Sequence, residues 1–244
     1  MRIFLHDLPA DSPSATLRGD KARYLSLVLR CRPGDRLTVV ASGNTARAAV
    51  VSSISRQTVV LDLGEPLGLV STESPLRTIL FQGLLKGDRM DLVVQKTTEL
   101  GVAGIVPVVT ERSQVRETRK LARWTKIAEE AARQSGRTGP PAVHDPMGFD
   151  EALSFFQRGN SPGIVFWEAG GAPVSAVFRQ IGPARRLALF TGPEGGYSQE
   201  EITKASAAGI RAASLGTRIL RAETASVMAV GLAQYELGDL SRPV

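Results

Sequence analysis

Two short stretches in the C-terminal third carry the residue types that build a small-molecule pocket. The first, residues 191–196, reads TGPEGG and follows the apolar run Leu187-Ala188-Leu189-Phe190. Three glycines and a proline let the backbone turn sharply and bring main-chain N–H and C=O groups close to a ligand. Glu194 within the loop repels phosphate and suits a ligand that carries positive charge. No GxxxxGKS/T is present and no GxGxxG follows a strand, so a phosphate-led nucleotide site lacks its usual support. The second stretch, residues 215–221, reads LGTRILR. Its Ile219 and Leu220 can wall a flat ring while neighbouring amides read the ring edge, and Arg218 and Arg221 can face an anionic substrate. Either loop alone is equally an ordinary strand-to-helix turn. Together, about 30 residues apart, both lie where open parallel sheets take their ligands, beyond the carboxyl ends of strands.

The elements that must position these loops follow from the hydrophobic periods. After Pro75 the sequence predicts alternating units: strand 78–84, helix 88–100, strand 105–109, helix 120–135, a helix near 149–156, and strand 164–167. Strand 187–190, helix 199–208 with Ser198-x-x-Glu201 as its capping box, strand 211–215 and a long helix from about Ala222 complete the series. Such alternation indicates a parallel sheet covered on both faces. Residues 1 to about 70 have another grammar. RLTVVA, TARAAVVSSIS and TVVLDL are short β-rich runs separated by Ser42-Gly43-Asn44 and a polar dipeptide, which predicts an antiparallel meander. Asp20 is placed to cap a short helix with Tyr24, Leu25, Val28 and Leu29 on one face, ended by Pro33-Gly34. Residues 64–75, rich in Pro, Gly, Ser and Thr, read as the linker. The expected domains are therefore 1–72 and 73–244.

With 244 residues and 43% apolar content the chain can bury a full core. Its net charge of +6 favours an anionic partner. The single cysteine, Cys31, rules out an intrachain disulfide and fits a reducing, cytoplasmic setting. No signal peptide or transmembrane stretch is evident. His6 and His144 are far apart without ligand-like spacing, so no metal is expected. Residues 110–137 carry eight basic residues against four acids. That density fits phosphate neutralisation, although Lys126 and Glu130 can equally lie on a solvated helix face.

The sequence also resembles a known family. TGPEGGYSQEE and SLGTRILRAETA are similar to the two cofactor loops of the RsmE family, uridine-N3 methyltransferases of small-subunit ribosomal RNA in the SPOUT superfamily. The likeness extends to LLKGDRMDLVVQKTTELGV, TERSQVR, RWTKIAEEAARQSGRTGPP and VLRCRPGDRL, and so spans essentially the whole chain. The sequence departs from the family pattern at Thr217 and Leu85, where proline is common, and at Ala222, where threonine is common. It also lacks the histidines often found around Ala22 and Arg23.

The resemblance implies an α/β fold in which a SPOUT-type parallel sheet with a trefoil knot follows a small N-terminal PUA-like RNA-binding β-barrel. It implies S-adenosylmethionine as cofactor, 16S ribosomal RNA within the small subunit as substrate, and a homodimer. Carried over by position, the cofactor residues are Trp167, Glu168, Thr191, Gly192, Pro193, Glu194, Gly195, Leu215, Gly216, Ile219, Leu220, Arg221, Glu223, Thr224 and Ala225. Uridine N3 carries a proton, so methyl transfer to it requires a base or positive groups that stabilise the uracil anion. Arg221 is the candidate for the second role and Glu194 or Glu223 for the first. Glu223 serves equally as an acid at a helix N-terminus. Arg30, Lys86, Arg89, Arg112, Gln134 and Arg137 are the candidate RNA contacts. Two other readings use the same residues: a transfer-RNA ribose methyltransferase of the same superfamily, and a non-catalytic RNA-binding protein.

Overall fold

The computed structural model describes residues 2–5, 7–9, 11–41, 45–55, 57–67 and 72–241. His6, the Ser42-Gly43-Asn44 turn and residues 68–71 of the expected linker lie outside them. The chain forms two compact units, residues 1–72 with 136–139, and residues 73–135 with 140–244. Residues 136–139, which the sequence reading gives to the C-terminal segment, join the first unit.

In the first unit alternating apolar residues make a sheet with one buried face. Its strands are β1 (Arg2–Phe4), β2 (Ser14–Arg18), β3 (Arg36–Val40), β4 (Ala46–Ile54) and β5 (Thr58–Pro66), in the order β1-β3-β4-β5-β2. Strands β3, β4, β5 and β2 pair antiparallel, whereas β1 joins β3 in parallel. Ala15, Leu17, Leu37, Val39, Val51, Val59 and Leu61 form its core. The expected helix differs in detail. Helix α1 (Gly19–Arg23) starts from Arg18 with no side-chain cap, so Asp20 sits in the first turn rather than at the cap. A π-helical turn, Tyr24–Val28, follows, with the Leu29 amide donating to the Tyr24 carbonyl at 3.0 Å. The wider winding rotates the apolar stripe, so Leu25 is buried while Val28 is 66% exposed.

The second unit contains β6 (Arg77–Gly83), α2 (Arg89–Glu99), β7 (Gly104–Val109), α3 (Leu121–Gln134), β8 (Ala142–Val143), β9 (Met147–Gly148), α4 (Phe149–Arg158), β10 (Gly163–Phe166) and β11 (Ala172–Pro173). Then come α5 (Val174–Ile181), β12 (Arg186–Thr191), α6 (Gln199–Ala207), β13 (Ile210–Ser214) and α7 (Ala222–Glu236). The sheet runs β11-β13-β10-β12-β6-β7-β8, with β9 also on β7, and its pairings are parallel. The strands are near-continuous apolar runs because both faces are covered. Leu80, Ile105, Ile164 and Leu189 point to one side, where Met90, Val94, Trp124, Phe178 and Val230 pack from α2, α3, α5 and α7. Phe81, Val106, Val165 and Phe190 point to the other, under Phe149, Phe156, Ile202 and Ala205 from α4 and α6. Phe81 and Phe190 stack at 4.2 Å across neighbouring strands.

Parallel pairing fixes where the loops emerge. Strands β13, β10 and β12 are neighbours, so the segments after Ser214, Phe166 and Thr191 leave the sheet side by side at its carboxyl edge.

Candidate functional site

Those three segments enclose a cavity of about 220 Å³. Its walls come from Phe166, Trp167 and Glu168 after β10, from Thr191, Gly192, Pro193, Glu194 and Gly196 after β12, and from residues 214–220 with Ala222 and Ala225. Of the expected cofactor residues, Trp167, Glu168, Thr191, Gly192, Pro193, Glu194, Leu215, Gly216, Ile219, Leu220 and Ala225 line it. Gly195, Arg221, Glu223 and Thr224 are outside that lining set. Gly196, part of the expected first loop, lines it too, and Phe166 and Ser214 line it without having been expected. Arg218, read from sequence as a contact for an anionic substrate, is also in the wall, as are the departures Thr217 and Ala222. Ile219 is 87% exposed and forms an apolar rim.

The 192–196 loop is held in place by contacts from every side. At its entry, a buried polar cluster joins three elements. The Thr191 hydroxyl donates to Gln82 Oε1 at 3.0 Å, and Ser226 Oγ lies 3.0 Å from Thr191 Oγ1 and within hydrogen-bond reach of the same Gln82 oxygen. Gln82 Nε2 donates to the carbonyls of Gly83 at 2.9 Å and Gly192 at 3.3 Å. An isolated buried hydroxyl is costly, but here each has a partner, so the cluster rigidifies the junction of β6, β12 and α7. Next to it, a Cβ placed on Gly83 would lie 2.4 Å from the Pro193 nitrogen, so only glycine permits the loop to lie against β6.

At the exit of the loop, Ser198 and Glu201 form the expected capping box, with the Ser198 amide donating to Glu201 Oε2 at 3.0 Å and the Glu201 amide to Ser198 Oγ at 3.3 Å. The second Glu201 oxygen accepts from the Glu111 amide at 2.9 Å, which ties the basic segment after β7 to the same loop. Arg112 then donates to the Gly195 carbonyl at 3.3 Å. Tyr197, between them, is fully buried against Phe149, and burial pushes its phenol well above the ordinary tyrosine range, with Glu201 adding to the effect.

The loop's acid is engaged on one side only. Glu194 Oε1 accepts from the Lys86 amide at 3.0 Å and from the Arg89 guanidinium at 2.9 Å. Glu194 Oε2 is buried without a hydrogen-bond partner, as is Glu223 Oε2. Arg89, expected as an RNA contact, is therefore paired with Glu194, while Lys86 keeps an exposed side chain. The Lys120 ammonium donates to the Gly87 carbonyl at 2.9 Å, steadying that turn from α3.

The remaining RNA candidates are distributed differently from expectation. Arg112 and Gln134 are exposed in the second unit, where Gln134 donates to Glu130 at 3.3 Å. Arg30 is exposed in the first unit at a positive φ of 52°. Arg137 belongs to the first unit and is only 5% exposed, its carbonyl accepting from Arg2 at 2.6 Å. Its burial leaves its side chain little surface for a phosphate, unlike the exposed Arg112, Gln134 and Arg30. Among the described residues no helix is long and apolar enough to cross a membrane.

Comparison with known proteins fits this geometry. Residues 72–234 match the RNA methyltransferase domain family. The ribosomal RNA small subunit methyltransferase E of Synechocystis sp. is 33% identical over 221 residues, covering 89% of this chain and 71% of that protein. A putative methyltransferase of Legionella pneumophila, solved with bound S-adenosylmethionine, superposes with a TM-score of 0.88 at 32% identity, covering 98% of both chains. The Neisseria gonorrhoeae ribosomal RNA small subunit methyltransferase E bound to S-adenosylmethionine gives 0.86 at 33% identity and the same coverage.

Proposed function

The chain belongs to the RsmE-type family of RNA methyltransferases, and from that premise we propose that it uses S-adenosylmethionine to methylate N3 of a specific uridine in 16S ribosomal RNA of the small subunit. The observation that carries this reading is the convergence of three strand-end loops on one cavity that combines apolar walls with an acceptor carboxylate. Those walls suit the donor: Leu215, Ile219 and Leu220 offer apolar surface for a nucleoside ring, and Glu194 offers negative charge toward a cationic ligand. When bound, that cofactor supplies a methyl group on a positively charged sulfur. The residues of this chain have the other tasks: to hold N3 in line with the methyl, to exclude water, and to manage the N3 proton.

Arg221, exposed at the start of α7, is assigned to stabilise negative charge on the uracil oxygens from the open side of the site. Glu194 and Glu223 are the two candidate proton acceptors, each with one buried oxygen that has no partner. Lys86, Arg112, Gln134 and Arg30 are assigned to RNA as exposed groups. The setting is the bacterial cytoplasm, where ribosomal RNA is found.

Three architectural features belong to the same proposal. The second unit is read as trefoil-knotted, a reading that rests on the family to which the chain belongs. The first unit is read as a PUA-like barrel, supported by its five-stranded sheet around one apolar core. The enzyme is read as a homodimer, supported by α7, whose buried Ala229, Val230 and Ala233 are matched on its outer face by exposed Met228 and Tyr235. Met228 and Tyr235 are seven residues apart and so share one face of the helix, apolar surface that a second copy can cover.

Calorimetry with S-adenosylmethionine tests the cofactor reading: saturable one-site binding is expected, and no binding would favour a non-catalytic RNA-binding protein.

A further inference from the structure

A buried carboxylate oxygen without a partner is expensive to keep, and it marks an acceptor that some ligand completes. Glu194 is such a group in the cavity wall. Its Oε1 is occupied by the Lys86 amide and the Arg89 guanidinium, and its Oε2 is buried with nothing to accept from. The two donors fix which oxygen is left over. An ionised carboxylate accepts hydrogen bonds and donates none.

We propose that Glu194, anchored through one oxygen by Arg89 and the Lys86 amide, reads the N3 edge of the target base with the other, admitting uridine and rejecting cytidine. This inference rests on the functional reading above and adds the residue pair that sets base identity. Uracil presents an N–H at N3, which Glu194 Oε2 can accept. Cytosine presents a lone pair at N3, which meets the carboxylate with repulsion and leaves both acceptors unsatisfied. Proton removal precedes the transfer. The N3 proton passes to Glu194 Oε2 and then to solvent, the base turns its freed N3 lone pair from the carboxylate to the methyl, and the N3–methyl bond forms as the methyl–sulfur bond breaks and the sulfur leaves as a neutral thioether. Arg89 is a positioning residue in this scheme: it holds Glu194 and makes no contact with the base.

The test compares wild type, Glu194→Gln, Arg89→Ala and Arg89→Lys on small ribosomal subunits whose 16S RNA carries uridine or cytidine at the methylated position. Binding of S-adenosylmethionine is measured alongside as the check on folding. Wild type is expected to bind the uridine form on the order of tenfold more tightly than the cytidine form. Glu194→Gln, whose amide can both donate and accept, should erase that preference and lower kcat by about 10²-fold or more, with a far smaller loss of cofactor affinity from the missing negative charge. Arg89→Ala should lower kcat and weaken the preference, and Arg89→Lys should restore part of both. Retention of the rate or of the preference in Glu194→Gln would overturn the inference, as would a loss of cofactor affinity as large as the loss of rate. If wild type itself transfers no methyl to N3, the functional reading falls first and the inference with it.

Discussion

Ser226 Oγ, in the second turn of α7, lies 3.0 Å from Thr191 Oγ1 at the end of β12, and both hydroxyls converge on the side-chain oxygen of Gln82 in β6. Three segments far apart in sequence are thereby joined beneath the 192–196 loop. Because Gln82 also donates to the Gly192 carbonyl, this cluster sets the height of the cavity floor.

Replacing Gln82 by Leu leaves the Thr191 hydroxyl without its acceptor and the Gly192 carbonyl without its Gln82 donor, while Ser226 Oγ keeps Thr191 Oγ1 and the Ala222 carbonyl. An unmet buried polar group costs about 1–3 kcal/mol. Gln82→Leu should therefore lower the denaturant midpoint substantially and weaken S-adenosylmethionine binding. Ser226→Ala, which removes one hydroxyl and leaves the Thr191–Gln82 bond, should cost about 1 kcal/mol or less. Equal effects of the two substitutions in chemical denaturation would contradict a hub at Gln82.

Gly83→Ala and Gly216→Ala separate crowding from backbone strain. A Cβ on Gly83 meets the Pro193 nitrogen at 2.4 Å, so the cofactor loop itself must move. One on Gly216 meets nothing within 4 Å, and the cost there is confined to its φ of +107°, about 1–3 kcal/mol. Gly83→Ala should therefore lose cofactor affinity far beyond its loss of global stability, with Gly216→Ala showing the reverse balance in paired calorimetry and melting experiments.

These two cases also show what was legible in the sequence. The loops were found because glycine and proline punctuate apolar runs, and the alternation of strands and helices placed both at one edge of a parallel sheet. The capping box of Ser198 and Glu201 was read from its local spacing and is present. What stayed hidden depends on distance along the chain. Nothing local to Gln82 announces a partner at Ser226, and nothing near Arg89 announces Glu194, 105 residues away. Helix α5 escaped because its eight residues are preceded by Pro173 and two glycines, which read as a turn. Strands β8, β9 and β11 have two residues each, too few to display a period.

Tyr197 makes a pH prediction. Burial raises its phenol above the unfolded value, so the folded state resists ionisation. Its stabilising share is complete below the unfolded tyrosine pKa of about 10 and is lost as pH rises beyond it. Tyr197→Phe removes a buried hydroxyl that has no partner, so it should leave stability unchanged or raise it by about 1 kcal/mol at neutral pH. It should also flatten the alkaline limb of a stability profile followed by circular dichroism. A steep loss of stability at neutral pH would mean that the hydroxyl is bonded in solution.

Arg112 tests the RNA face. Its exposed guanidinium sits beside the cofactor loop, donating to the Gly195 carbonyl. If it also meets a phosphate, Arg112→Ala should weaken RNA binding and reduce the slope of log K against log salt by about one. An unchanged slope would confine Arg112 to bracing the loop.

The central claim is methyl transfer to uridine N3 in small-subunit RNA. Purified protein, S-adenosylmethionine and small subunits from a strain lacking the enzyme, followed by mass spectrometry of the digested 16S RNA, address it most directly. The account predicts one new 3-methyluridine at a single position. A 2′-O-methyl mark instead, or no methylation of 16S RNA at all, would contradict it.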